Sequence, residues 1–210
     1  MGIDVQDFAQ WMLKANHTIQ ANKDYLSELD RAIGDGDHGI NMARGFAEVQ
    51  NKISRELNQD IGALCQNIAM TLLSKVGGAS GPLYGTAFIK MASVFKGKEK
   101  VSLDEFSKAL HEAVNGIKMR GKAAPGEKTL LDVWEPVSSY VAEYVADLSW
   151  QSLKSFAYQQ MENTRPLEAK KGRASYLGPR SAGHLDPGAV SSYYLFEALC
   201  LTMLKGEKGT

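Results

Sequence analysis

Three aspartates fall within eight positions of one another, in the string Asp30-Arg31-Ala32-Ile33-Gly34-Asp35-Gly36-Asp37-His38-Gly39. Like charges crowded in this way repel unless a cation sits among them. Magnesium takes oxygen ligands and commonly shares a few carboxylates with substrate phosphates, so Asp30, Asp35 and Asp37 point to one or two such ions with positions left open for a nucleotide. Gly34, Gly36 and Gly39 let the backbone fold tightly enough for the carboxylates to converge. The same string also reads as a solvated acidic turn, because Asp and Gly are common turn residues. Two other readings fail. Residues 34–39 match the G-x-G-x-x-G spacing, but they follow a helical pattern rather than a strand, and two aspartates would repel a bare pyrophosphate. An EF-hand counted from Asp35 puts Ile40 at the glycine position and Phe46 where a bidentate Glu belongs.

Three further segments suit an anion. Ser74-Lys75-Val76-Gly77-Gly78-Ala79-Ser80-Gly81-Pro82-Leu83 is a glycine-rich turn leading into a helix, which offers unpaired N–H groups, with the Ser80 hydroxyl as an added donor. It has no Walker A spacing and serves equally as a tight turn. Lys170-Lys171-Gly172-Arg173-Ala174-Ser175 is a compact basic loop in which Arg173 has the planar fork that grips phosphate, whereas the two lysines read as a solvated face. Gly183-His184-Leu185-Asp186-Pro187-Gly188 is explained as a helix start, and such an N-terminus also attracts negative charge. Gly121 and Thr129 have turn and cap readings that need no ligand. His17, His38, His111 and His184 show no paired metal-ligand spacing, and no serine or cysteine lies in a nucleophile motif. His38, beside Asp37, is the one histidine expected at the site.

Helical periodicity must position these loops, and it runs almost throughout, with no convincing alternating strand. A first helix is predicted from Asp4 as N-cap to about Leu29, carrying Phe8, Trp11, Met12, Ala15, Ile19, Leu26 and Leu29 inward. A second, over 39–54, turns Ile40, Ala43, Ala47 and Ile53 inward, and a third, over 60–75, carries Ile61, Leu64, Cys65, Ile68 and Leu72. A fourth follows Gly81 with Leu83, Ala87, Met91 and Val94, ending at the polar turn 97–100. Ser102 and Glu105 are spaced as a capping box for a fifth, which buries Phe106, Leu110, Val114 and Ile117 and stops at Gly121. The sixth begins near Asp132, with Pro136 close to its first turn, and the seventh carries Leu153, Phe156 and Ala157. The eighth opens at Asp186 with Pro187 in its first position and buries Val190, Tyr193, Tyr194, Phe196, Leu199, Cys200 and Met203. Eight amphipathic helices with short connections imply one all-α domain over 1–210, a bundle or helical barrel with its unusual residues in the loops. The tail 206–210 is expected to fray.

Composition removes several classes of function. Lys plus Arg equals Asp plus Glu at 24 each, so no positive field draws nucleic acid or an anionic membrane. No run approaches the roughly 18 apolar residues of a membrane helix, and the first residues lack a leader pattern. Cys65 and Cys200 lie in apolar-periodic segments as small core residues, which fits a reducing, cytoplasmic setting.

Taken together and in order, the acidic loop from Leu29 to Met42, Gly77 to Leu83, Lys171 to Gly178 and Gly183 to Gly188 resemble the nucleotide-binding L subunits of bacterial dihydroxyacetone kinases. The resemblance covers essentially the whole chain. It implies an antiparallel eight-helix barrel with ADP at one end and two magnesium ions bridging the diphosphate to Asp30, Asp35 and Asp37. It implies nucleotide contacts from His38, Gly39, Ile40, Asn41, Ala79, Ser80, Gly121, Leu130, Arg173, Asp186, Pro187 and Gly188, with Arg173 also assisting catalysis. In the phosphotransferase-system branch, ADP is a retained coenzyme that a phosphohistidine on an M subunit converts to ATP, which phosphorylates dihydroxyacetone held on a K subunit. Phosphoryl transfer of this kind needs positioning and charge neutralisation rather than a nucleophile on this chain. An ATP-dependent kinase with exchangeable nucleotide, where the same domain is fused to a K-like one, and a nucleotide-binding regulator without kinase activity are the competing readings. Oligomeric state, a homodimer included, stays open.

Overall fold

Asp4 closes a three-residue strand, β1 (Gly2–Asp4), and its side chain accepts the Asp7 amide while Asp7 reaches back to the Asp4 amide. That reciprocal cap starts α1 (Val5–Ala21) in the computed structural model, which describes residues 2–55 and 60–207. The chain continues through α2 (Lys23–Ile33), α3 (His38–Arg55), α4 (Ile61–Lys75), α5 (Ser80–Phe95), β2 (Lys100–Ser102) and α6 (Leu103–Gly121). Next come α7 (Leu131–Glu143), α8 (Trp150–Glu162), a 3-10 helix (Arg173–Ser181) and α9 (Pro187–Glu207). Of the expected tail, residues 208–210 lie outside the described residues.

Each long helix packs on its successor, from α3 through α9, and α1 joins α3 to α9. The short α2 lies against α3 and α9. The helices enclose a large apolar core, with an edge-to-face aromatic cluster of Phe8, Trp11, Phe95 and Phe106 and a second of Tyr84, Trp134 and Phe196. Trp11 satisfies its indole N–H on the Leu195 carbonyl at 2.7 Å, so a large ring is buried without an orphaned donor. Cys65 and Cys200 are buried free thiols in this core, as their apolar neighbourhoods imply.

The fold is predominantly helical as expected, and it departs from the predicted elements at six points, one of them the 3-10 helix Arg173–Ser181 where a basic loop is predicted. The first helix is broken at Asn22, whose side-chain amide donates to the Thr18 carbonyl, so nine α-helices replace eight among the described residues. A two-stranded antiparallel ribbon pairs Ile3 with Val101, both buried; three residues are too few to show alternation. Gly121 is the last helical residue rather than the stop, and Lys122 takes the left-handed cap at φ 48°. Pro136 sits in the second turn of α7, where it removes the amide that the Asp132 carbonyl would receive. Ile40 points outward, at 55% exposure, because the inward stripe of α3 is Met42, Phe46 and Val49.

The capping box of α6 is present as spaced: Ser102 Oγ accepts the Glu105 amide and the Glu105 carboxylate accepts the Ser102 amide. Ser102→Ala is therefore expected to lower global stability by about 1 kcal/mol in chemical denaturation, with no effect on the loops at the far end of α6.

Candidate functional site

Asp30 explains the shape of the acidic loop before any ligand is considered. Its buried carboxylate, on the last turns of α2, accepts the amides of Asp37 at 2.9 Å and His38 at 3.1 Å through Oδ2. These are the free N–H groups that open α3, so one side chain joins the end of α2 to the start of α3. Gly34 must be glycine here, since a Cβ would lie 2.2 Å from Asp30 Oδ1. The result is that one carboxylate oxygen from each of Asp30, Asp35 and Asp37 lies within 4.8 Å of the others. Burial holds the Asp30 carboxyl above its ordinary range, with Asp35 and Asp37 adding to the effect against the two amides. One guanidinium faces the trio: Arg173 Nε donates to Asp35 Oδ2 at 2.9 Å. Three hard oxygen donors with one organic cation suit a divalent ion, and the donor set fits magnesium better than a softer metal.

Beside the trio, the starts of α3, α5 and α9 converge. His38 binds Ser191 Oγ through Nε2 at 2.9 Å and Ser80 Oγ through Nδ1 at 3.2 Å, one contact to each neighbouring helix. Burial pulls the imidazole down to about 4, against the opposing pull of Asp37, so at neutral pH His38 is an uncharged linker. The network continues from Ser191 to the Tyr84 hydroxyl at 2.8 Å, on to Ser192 at 2.8 Å, and to the indole N–H of Trp134, which donates to Ser192 at 3.0 Å. Tyr84, Trp134, Ser191 and Ser192 carry no motif, and only the fold reveals them. Three helix N-termini aimed at one place make a region of positive potential suited to phosphate oxygens.

Other expected residues gather at this end. Gly39 starts α3 against α2, where a Cβ would meet the Lys23 carbonyl at 1.9 Å. Asn41 is buried beneath Gly77, its Oδ1 accepting from Arg44. Ala79 and Ser80 begin α5. Asp186 Oδ2 accepts the Ala189 amide at 2.7 Å, and Pro187 opens α9 as predicted. Leu130 is buried against Gly188. Gly121 lies against Leu83 of α5, which a Cβ there would meet at 3.2 Å. Exposed Ile40 lies next to Asn41 on the outer side of the same turn. Lys170 and Lys171 pair with Glu168 and Glu127, in keeping with a solvated face.

Asp186 is pushed up to about 7, first by burial and then by Asp132 and Asp30, against the Ala189 amide and Lys128. The folded state therefore keeps a proton that the unfolded chain loses above the ordinary value of 3.8, and this group lowers stability as pH rises from about 4 to 7. Asp186→Asn keeps the cap acceptor without the titration. In cation-free protein, denaturation curves of the variant and parent should agree near pH 4 and diverge in the variant's favour by pH 8.

An all-helical domain with an acidic, cation-suited end and converging helix starts is the class that fold and site define. The model of the DAK2 domain matches residues 32–201, and the chain belongs to the DAK2 domain family. It is 46% identical to a PEP-dependent dihydroxyacetone kinase ADP-binding subunit DhaL of Listeria innocua, over 92% of this chain and 94% of that protein. The corresponding Escherichia coli subunit is 40% identical over 96% of this chain and 98% of its own length. Among solved structures, the native dihydroxyacetone kinase of C. freundii superposes with a TM-score of 0.72 at 25% identity, covering 92% of this chain and 34% of that one.

Proposed function

We propose that this chain is the ADP-binding subunit of a phosphoenolpyruvate-dependent dihydroxyacetone kinase. The observation that carries the reading is the convergence of Asp30, Asp35 and Asp37 beside three helix N-termini, with Arg173 reaching Asp35. The three carboxylates would hold two magnesium ions shared with a diphosphate, and the ions would supply charge neutralisation during transfer. Residues His38 to Asn41, Ala79, Ser80 and Asp186 to Gly188 line the starts of α3, α5 and α9, where backbone amides orient phosphate oxygens. The base would lie toward Leu130, which packs on Gly188, and toward Leu83, which packs on Gly121. Arg173, on its loop, sits where it can bind charge developing on a transferring phosphoryl group.

In this reading the bound ADP is a coenzyme, rephosphorylated by a phosphohistidine on an M subunit and then used on dihydroxyacetone held by a K subunit. The relatives that this chain matches over more than nine-tenths of both lengths are PEP-dependent ADP-binding subunits, which favours that relay. L-erythrulose kinase of Pectobacterium atrosepticum, by contrast, is matched over only 32% of its length. No helix among the described residues is long and apolar enough to cross a membrane, and two buried free thiols suit a cytoplasmic setting. The closed order of helix packing supports the eight-helix barrel, with α2 as an added short helix.

The deciding experiment is to denature freshly purified protein and identify what it releases. About one ADP per chain, with phosphoryl transfer restored when K and M subunits are added, is the expected result. Ready loss of nucleotide with direct ATP turnover would favour an exchanging kinase, and binding without any transfer a regulator. Protein that is empty and takes up no ADP with magnesium removes the proposal.

A further inference from the structure

Lys128 is 1% exposed and lies at φ 60°, a left-handed conformation that costs a non-glycine residue about 1 kcal/mol or more. Its ammonium is fully used. Nζ donates to the carbonyls of Thr164 at 2.8 Å, Leu167 at 3.0 Å and His184 at 2.5 Å, with Arg165 a fourth at 3.4 Å. Burying an ammonium is expensive, and a strained residue that carries one is held there by its partners.

Those partners have one thing in common. Thr164, Arg165 and Leu167 lead into the loop that carries Arg173, and His184 leads out of it. The Gly183 amide closes the same neck on the Arg165 carbonyl at 2.8 Å, and the Asp186 amide bonds Thr164 Oγ1 at 3.2 Å. Inside the loop, the Ala169 amide donates to Ser181 Oγ, and the Lys170 amide donates to the Glu127 carbonyl, next to Lys128 itself. At its far end Ala169, Ala174 and Leu177 form a small apolar cluster with Ile33, three residues after Asp30. Segment 165–183 is thus a closed loop, joined at the neck by one buried cation and resting by its tip on the acidic turn.

We infer that Lys128 is a positioning residue for Arg173: its buried ammonium fixes the neck of the 165–183 loop and thereby the place of the guanidinium over Asp35. The inference rests on the proposed role of Arg173 in transfer. No hydrogen bond of Lys128 reaches the three aspartates, and its link to Arg173 runs through the loop.

The test is a double-mutant cycle in the assembled three-subunit system, reading turnover and the ADP retained per chain for Lys128→Met, Arg173→Ala and the two combined. Lys128→Met should lower turnover at least tenfold while ADP is kept, and should cause no further loss once Arg173 is alanine. Trypsin should also cut within 170–173 faster than in the parent while helical circular dichroism is unchanged. Normal turnover in Lys128→Met, or losses that multiply in the combined variant, would overturn the inference. Should Arg173→Ala alone leave turnover intact, the reading of Arg173 fails instead, which is a separate outcome. Lys128→Gly suits the backbone angle and admits water to the carbonyls, so it carries the same test if the methionine variant does not fold.

Discussion

Asp30→Asn is expected to yield a folded protein that no longer retains a nucleoside diphosphate. The amide oxygen of asparagine can still accept the Asp37 and His38 amides, so the turn between α2 and α3 keeps its shape. What is lost is one of the three negative charges that, in the proposed site, would share a cation. Groups that merely orient a metal's ligands are worth roughly 10–100-fold in affinity, so losing a direct carboxylate ligand should weaken magnesium-dependent ADP binding by more than about 100-fold. Without cations the variant should melt no lower than the parent, since burial and two neighbouring acids already oppose ionisation of this carboxyl. Asp30→Ala is different in kind: it strands two amides at the start of α3 and should cost about 1–3 kcal/mol as well. Calorimetric titration with ADP at several magnesium concentrations, set beside thermal melts, separates the two effects. Undiminished ADP affinity in Asp30→Asn would move the cation site elsewhere.

The acidic turn was legible because its carboxylates are neighbours in sequence, joined by glycines that permit convergence. The Asp4 cap, the Ser102–Glu105 capping box and the Asp186-Pro187 start were legible for the same local reason. Contacts between distant segments were not. His38 and Ser191 are 153 positions apart, and a serine in an apolar helix gives no sign that its hydroxyl faces a histidine. Lys128 carries no signal in the sequence, because its four carbonyl partners lie 36 to 56 positions away and carbonyls leave no mark on a sequence. Periodicity misled at Ile40, which stands two positions and about 200° around the helix from Met42, on the opposite face. It also ran unbroken through Asn22, where the interruption comes from a side-chain amide bonding the backbone.

Arg173→Ala should separate catalysis from binding. In the assembled system, turnover is expected to fall by about 10²- to 10³-fold, the usual cost of removing one donor aimed at developing charge. Retained ADP should stay near one per chain, because in the proposed site the three aspartates and the helix starts would hold the diphosphate without it. Stability should hardly change: the Arg173–Asp35 pair is solvent-exposed, and such pairs contribute at most about 1 kcal/mol. Arg173→Lys should restore only part of the rate, since a lysine brings the charge but not the planar fork. Neighbouring Lys170 and Lys171 cannot stand in, being paired with Glu168 and Glu127 on the outside of the loop. Turnover and retention falling together would mean that Arg173 binds the coenzyme rather than the transferring group. A rate unchanged in the alanine variant would leave its ion pair with Asp35 as a surface contact only.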